Sequence, residues 1–264
     1  MVVHNNSEAV IWDQLPHISL DEMKSVKLMN RTDTKFVAPR CALAQILKRA
    51  HQMGYMVQFT TGVLNSYSTI YYDTATLEMY TVHHNRKLCR QKVRSRTYIE
   101  SDISFLEIKN KNNRGRTKKI RISVPTTDTS LIKQNDEAVK FIGKNTKYLF
   151  HALQPALTTE FSRITLVNKE KTERITIDLN VNFHNFIHDT NDNLNDIIII
   201  ELKQDGRYVS TMRQILRELR IMPFKISKYC VGTALTNPDA KSNRFKKKII
   251  LLKKIAQYNY DTTT

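Results

Sequence analysis

Glycine is scarce in this chain, with six residues out of 264. No Walker-type Gly-rich loop occurs, so a bound phosphate would have to be held by side chains. Cysteine is thinner still. Cys41, Cys89 and Cys230 are odd in number and far apart, which offers neither a disulfide framework nor CxxC metal spacing. They read as idle thiols in a reducing compartment. Long apolar runs are missing as well: the longest, Ile197 to Ile200, is far too short to cross a bilayer. Met1 to Asp13 lacks the basic-then-apolar pattern of a signal peptide. These absences predict a soluble, cytoplasmic protein. No Ser/His/Asp or Cys/His arrangement stands out. His83 and His84 have no partner at metal spacing and are expected in a loop. His184 and His188 fall in a polar stretch, 182–195, that reads as a loop without metal.

What the chain has is positive charge. There are 42 basic and 25 acidic residues, a net charge of +17. Such an excess opposes compaction by self-repulsion unless an anionic partner offsets it. On charge alone the general reading is a nucleic-acid binder. The hydrophobic share of 41% and charged share of 25% are ordinary for a globular chain. No repeat, linker or composition break divides the sequence, so one domain over 1–264 is expected.

Ser19 and Glu22 have capping-box spacing and predict a short helix from Leu20 towards Met29. Leu43, Ile46, Leu47 and Ala50 predict a second helix ending near Gly54. Stretches at 65–72, 86–99, 103–110, 117–124, 157–167, 173–183 and 196–203 are rich in strand formers. Asn112-Asn113-Arg114-Gly115 predicts a hairpin turn between the third and fourth of these. Helices are expected at 130–152, with Leu131, Ala138, Phe141, Ile142 and Leu149 inward. Further helices are expected after Ser210, at 226–235 and at 241–257.

Charge repeats at spacing two in Arg94-Ser95-Arg96, Glu107-Ile108-Lys109, Lys119-Ile120-Arg121 and Glu201-Leu202-Lys203. A strand turns alternate side chains to one face, so each pair shares a side of a sheet. Repeated over several strands, the pattern predicts an α+β fold. Its centre would be a closed antiparallel β-barrel with a cation-lined lumen, flanked and plugged by helices. Such a lumen suits a long, strongly anionic ligand. Lys203 joins it on geometry alone, because it shares a face with Glu201. Asp178, on the strand of Arg174, is expected to form a structural salt bridge with Arg174 or another lumen cation. Arg244 to Lys254 carries six basic groups and no acid around the apolar run Ile249 to Leu252. That segment is expected to pack on the barrel with a solvated basic face, or to touch an anionic membrane surface or a membrane protein partner.

Several motifs, in order, resemble a known family. Arg31-Thr32-Asp33-Thr34-Lys35-Phe36, Tyr71-Tyr72-Asp73 and Val93-Arg94-Ser95-Arg96-Thr97-Tyr98 are followed by Phe105-Leu106-Glu107-Ile108-Lys109 and Lys118-Lys119-Ile120-Arg121. Ile200-Glu201-Leu202-Lys203 and Ser227-Lys228-Tyr229 complete the series. Over roughly 19–235 the chain is similar to the catalytic domain of the vacuolar transporter chaperone (VTC) polyphosphate polymerases, within the triphosphate tunnel metalloenzymes. The resemblance implies a basic tunnel in which Lys35, Arg86, Arg94, Arg96, Lys109, Lys119, Arg163, Arg174 and Lys228 hold phosphates. It also implies that Glu201 coordinates a divalent ion, Mg2+ or Mn2+. Hydrolytic relatives begin with an E-x-E-x-K strand, whereas this chain has Arg31, Asp33 and Lys35 there.

The implied activity is ATP-dependent polyphosphate synthesis, with ATP and polyphosphate as partners and Arg94, Arg96, Lys109 and Glu201 as catalytic groups. The alternatives are a tripolyphosphatase or nucleoside triphosphatase in the same tunnel, or a non-catalytic polyphosphate or nucleic-acid module. Nucleic acid is the less expected ligand. The inositol-phosphate-sensing domain and membrane helices of eukaryotic members are not found, so a stand-alone domain of the bacterial kind is expected.

Overall fold

A computed structural model describes residues 12–24, 26, 31–125 and 128–258. Eleven strands form one sheet: β1 His17–Ile18, β2 Arg31–Pro39, β3 Met56–Gln58, β4 Asn65–Asp73, β5 Arg90–Tyr98, β6 Ile103–Lys111, β7 Thr117–Val124, β8 Gln154–Val167, β9 Glu173–Asn185, β10 Thr190–Asn193 and β11 Ile197–Asp205. The helices are α1 Leu20–Lys24, α2 Ala42–Gln52, α3 Glu78–His84, α4 Thr129–Gln134, α5 Asp136–Asn145, α6 Thr211–Glu218, α7 Lys228–Thr236 and α8 Lys246–Ala256. Among the described residues, no helix is long and apolar enough to cross a membrane.

The main strand order is β2-β11-β9-β8-β4-β5-β6-β7, antiparallel at each step. The expected barrel closure is not observed, because β2 and β7 stand at opposite ends of this path. The outer edge of β2 has another partner. Pro223 bridges Phe36, and the Phe224 N–H donates to the Lys35 carbonyl at 2.7 Å. The β7 edge carries exposed Lys118, Lys119 and Arg121, charges that discourage further strand pairing.

Alternation gives the sheet two unlike faces. On the convex side Phe36, Ile164, Ile175, Ile177, Ile200 and Leu202 pack on α2 and α6, and Val93, Leu106 and Ile108 pack with Ala138 and Ile142 of α5. The concave side carries the charged residues. One end of it is filled by α7, whose Gly232 lies so close that a Cβ would meet Phe183 at 2.5 Å and Leu157 at 2.7 Å. A plug seated that tightly needs a residue without a side chain.

Local signals mostly fold as the residues dictate. Ser19 and Glu22 form the reciprocal cap, with Glu22 N donating to Ser19 Oγ at 3.3 Å and Ser19 N to Glu22 Oε2 at 2.9 Å. The described helix ends at Lys24; 25 and 27–30 lie outside the described residues. The β6–β7 hairpin turns through Gly115 at φ +78°. The helix expected over 130–152 is broken at Asn135, which leaves helical geometry so that its side chain can accept the Ala138 N–H at 2.9 Å. Leu131 and Leu149 are consequently exposed. His83 and His84 end α3 and do not sit in a loop, and 182–195 forms the end of β9 and β10.

Asp73 shows what the Tyr71-Tyr72-Asp73 motif does. Its buried carboxylate accepts the N–H groups of Thr74 (2.8 Å), Met79 (2.9 Å) and Tyr80 (2.9 Å), and the Tyr229 hydroxyl. It ties α3 and α7 to the end of β4. Asp73→Ala should lower the unfolding free energy by about 3 kcal/mol, and Asp73→Asn by less, because the amide keeps one acceptor. Urea denaturation followed by circular dichroism measures both.

Candidate active site: a cationic channel

Strand register assembles the concave face. Across β7, β6 and β5, Lys119 stands beside Lys109 and Lys109 beside Lys92, while Arg121 flanks Glu107 and Glu107 flanks Arg94. On the far wall Arg163 pairs in register with Asp178, Thr176 with Glu201, Arg174 with Lys203, and Glu201 with Lys35. Lys228 enters from the first turn of α7. Of the residues expected in the channel, Lys35, Arg94, Arg96, Lys109, Lys119, Arg163, Arg174, Glu201, Lys203 and Lys228 are brought to this one face.

Arg86 is not among them. The strand begins at Arg90 and not at 86, because α3 runs on to His84, and Arg86 sits exposed in the connection at φ +60°. The residue missed by sequence reasoning is Lys92. It lies two positions before Arg94 on the same strand face, and its Nζ donates to Ser227 Oγ at 2.7 Å.

Two buried carboxylates organise these cations. Glu107 Oε2 accepts Arg94 Nε at 2.8 Å and Nη2 at 2.6 Å, while Oε1 accepts Lys119 Nζ at 3.1 Å. Asp178 receives a two-point fork from Arg163, at 2.5 and 2.9 Å, together with Lys228. This is the salt bridge expected for Asp178, made with channel cations other than Arg174. Burial pushes the Glu107 carboxyl up, but Arg94, Arg96 and Lys119 outweigh it and hold it down to about 2. Asp178 is likewise held well below the carboxylate range, burial being overcome by Arg163 and Lys228.

The remaining cations repel one another. Lys109 is held well below its usual range by Arg94, burial and Arg96. Burial and Arg163 bring Lys228 down to about 8 despite Asp178. Burial and then Arg94 bring Arg96 down to about 10. Tyr71, raised by burial, is drawn down to about 8 by Arg94, Arg96 and Lys92, and accepts Arg94 Nη1 at 3.2 Å.

Glu201 is a further carboxylate of this face, where Asp33 also stands in register with Lys203, and it differs from Glu107 and Asp178. Its direct partner is Lys203 Nζ at 3.4 Å. Burial raises it, yet Lys203, Lys35, Arg163 and Lys109 bring it down to about 2, so it is ionised. Beside it in register, the buried Thr176 hydroxyl has no hydrogen-bond partner. A carboxylate 23% exposed, next to an unsatisfied oxygen, fits a hard divalent ion that keeps most of its ligands as water or phosphate. No cluster of three or more His, Cys, Asp or Glu occurs among the described residues. The donor set therefore suits an ion carried in with its anion.

The face is lined by cationic side chains from β2, β5, β6, β7, β8, β9, β11 and the first turn of α7. The VTC domain family model matches residues 30–237, most of the chain. The chain belongs to that family. No curated protein sequence matches the chain. Among solved structures, this VTC domain is similar to a Bacillus halodurans protein named as a candidate adenylate cyclase, at 12% identity and TM-score 0.51, covering 75% of this chain and 96% of that one. It is also similar to an adenylyl cyclase candidate from Hippeastrum reported with dominant triphosphatase activity, at 13% identity and TM-score 0.50, covering 80% and 98%. At these identities the likeness establishes the antiparallel tunnel fold with flanking helices.

Lys109 is depressed chiefly by Arg94, and Lys228 by burial with Arg163 adding to it, so an anion that neutralises those arginines raises both. Binding then takes up protons, and affinity falls as pH rises through about 8, where free Lys228 loses its charge. Calorimetry of tripolyphosphate binding at pH 8 in buffers of different ionisation enthalpy should show net uptake by wild type that shrinks in Lys109→Met. Equal proton counts in the two proteins would contradict this electrostatic picture.

Proposed function

We propose that this VTC domain is an ATP-dependent polyphosphate polymerase, a metal-dependent phosphotransferase that extends a chain held in its channel. The observation that carries the reading is the state of the carboxylates. Glu107 and Asp178 are each saturated by two cations, and Glu201 is held ionised among lysines. Hydrolysis asks for a group that takes a proton from water. A phosphate chain end is already ionised and asks only for positioning and charge neutralisation, which this lining supplies.

In the proposed reaction a terminal oxygen of the chain attacks the γ-phosphorus of ATP. The bond to the β,γ-bridging oxygen breaks, and its electron pair leaves with ADP. Arg94, Arg96 and Lys109 would neutralise the transferring phosphoryl group. Lys35, Lys119, Arg163, Arg174, Lys203 and Lys228 would hold nucleotide phosphates or product. Glu201, with the Thr176 hydroxyl beside it, would hold Mg2+ or Mn2+. When bound, the ion neutralises charge on the β- and γ-phosphates.

Purified protein with ATP and Mn2+ should yield a polymer ladder on gels with matching ADP. Free phosphate without polymer would move the assignment to a triphosphatase. Glu201→Gln should abolish turnover with modest loss of nucleotide binding, and unchanged turnover would remove Glu201 from the metal site.

Helix α8 supports contact with an anionic membrane surface. Its outer face presents Lys246, Lys247, Ile250, Leu251, Lys253 and Lys254, while Leu252 is buried against the sheet. Vesicles rich in anionic lipid should co-sediment the protein, and charge reversal at these four lysines should release it.

A further inference from the structure

The two walls of the channel are unlike at the Tyr98 end of β5. Beyond Arg96 the β5–β6 wall stops being cationic and becomes aromatic. Tyr98 continues the inner face of β5 and stands in register with Tyr67 on one side and Ile103 on the other. Its ring meets Tyr67 edge-on at 5.0 Å and Phe105 edge-on at 5.9 Å. Behind them Tyr67 lies parallel to Phe161 at 5.1 Å. The cations lean on these rings: the Arg163 guanidinium is 5.1 Å from the Tyr67 ring centre, Arg96 is 5.5 Å from it, and Arg121 is 4.0 Å from that of Phe105.

Packing alone does not account for the rim. Tyr67 and Phe161 are buried, but Tyr98 and Phe105 are only half-buried, and Ile103 is 45% exposed on the same face. An aromatic surface left open to solvent directly beside phosphate-binding arginines has the two parts of a nucleotide site: a π-face and a cationic groove.

We propose that Tyr98 and Phe105 form the nucleobase subsite of the channel, which fixes the direction in which a nucleoside triphosphate enters. This rests on the polymerase reading above and adds where the nucleoside lies. With the base stacked at Tyr98, the phosphates run inward past Arg96 to Arg94 and Lys109. Tyr98 and Arg94 are four residues apart on one strand, about 13 Å of rise, which the extended nucleotide spans from base to γ-phosphate. The terminal phosphate then faces the segment leading into α7, where Lys35 Nζ donates to the Ile226 carbonyl and Lys92 Nζ to the Ser227 hydroxyl. The growing chain lies on that side of the reacting phosphorus. Stacking tolerates any purine, so base discrimination is expected to be small.

The test compares two ligands that share phosphates but not a base. ATP and tripolyphosphate binding are measured by calorimetry for wild type, Tyr98→Leu and Phe105→Leu, which keep apolar volume at the rim. Tyr98→Leu should weaken ATP by about tenfold or more and leave tripolyphosphate within about twofold, the unchanged tripolyphosphate affinity also reporting an intact channel. Equal weakening of both ligands, or of neither, overturns the subsite while leaving the polymerase reading in place. Failure of wild type to bind either ligand overturns both. If Tyr98→Leu does not fold, Phe105→Leu decides by the same comparison.

Discussion

Like charges confined on one concave face repel, and the rest of this molecule is arranged around that repulsion. Two cations 4 Å apart at an effective dielectric of about 20 cost roughly 4 kcal/mol, against a typical domain stability of about 5–15 kcal/mol. Glu107 and Asp178 lower that cost by holding two cations each, and the convex side supplies the burial that balances the remainder. The depressed Lys109 and Arg96 carry part of what remains uncompensated. A polyanion would complete this face electrostatically, which ties the proposed ligand to how the fold is held together.

The division of labour among acids follows. A carboxylate saturated by cations fixes guanidinium geometry: Arg94 is forked onto Glu107 and Arg163 onto Asp178, each with its plane set before any ligand arrives. In the proposed reaction, that preorganisation would lower the reorganisation needed when charge moves between phosphorus and oxygen. Glu201, engaged by one lysine, retains coordinating capacity.

Much of this was legible because strand alternation is a local rule. Arg94, Arg96, Lys109, Glu201 and Lys203 could be placed on one face from spacing alone, and the structure puts them there. The same rule would have added Lys92. Arg86 failed for the opposite reason: the boundary between α3 and β5 depends on how α3 packs against α7, contacts that spacing does not carry. Long-range pairings were out of reach. His83 Nδ1 and Cys230 Sγ meet at 3.0 Å across 147 positions, so neither the histidine nor the cysteine is idle, and burial, with Lys92 and Arg90, pushes His83 down to about 2. That the expected barrel stays open was equally hidden, since nothing local to β2 announces that its edge would be taken by Pro223 and Phe224.

That last substitution changes what sets the bore. In a closed barrel, circumference is fixed by strand number and shear. Here the stretch 223–227 stands beside β2, receives Lys35 Nζ at the Ile226 carbonyl, and reaches β5 through Ser227 and Lys92. Part of the wall is thus a connector without a ladder of its own. Its length can change without reregistering a single strand, so the calibre of the passage is not tied to the sheet that lines it.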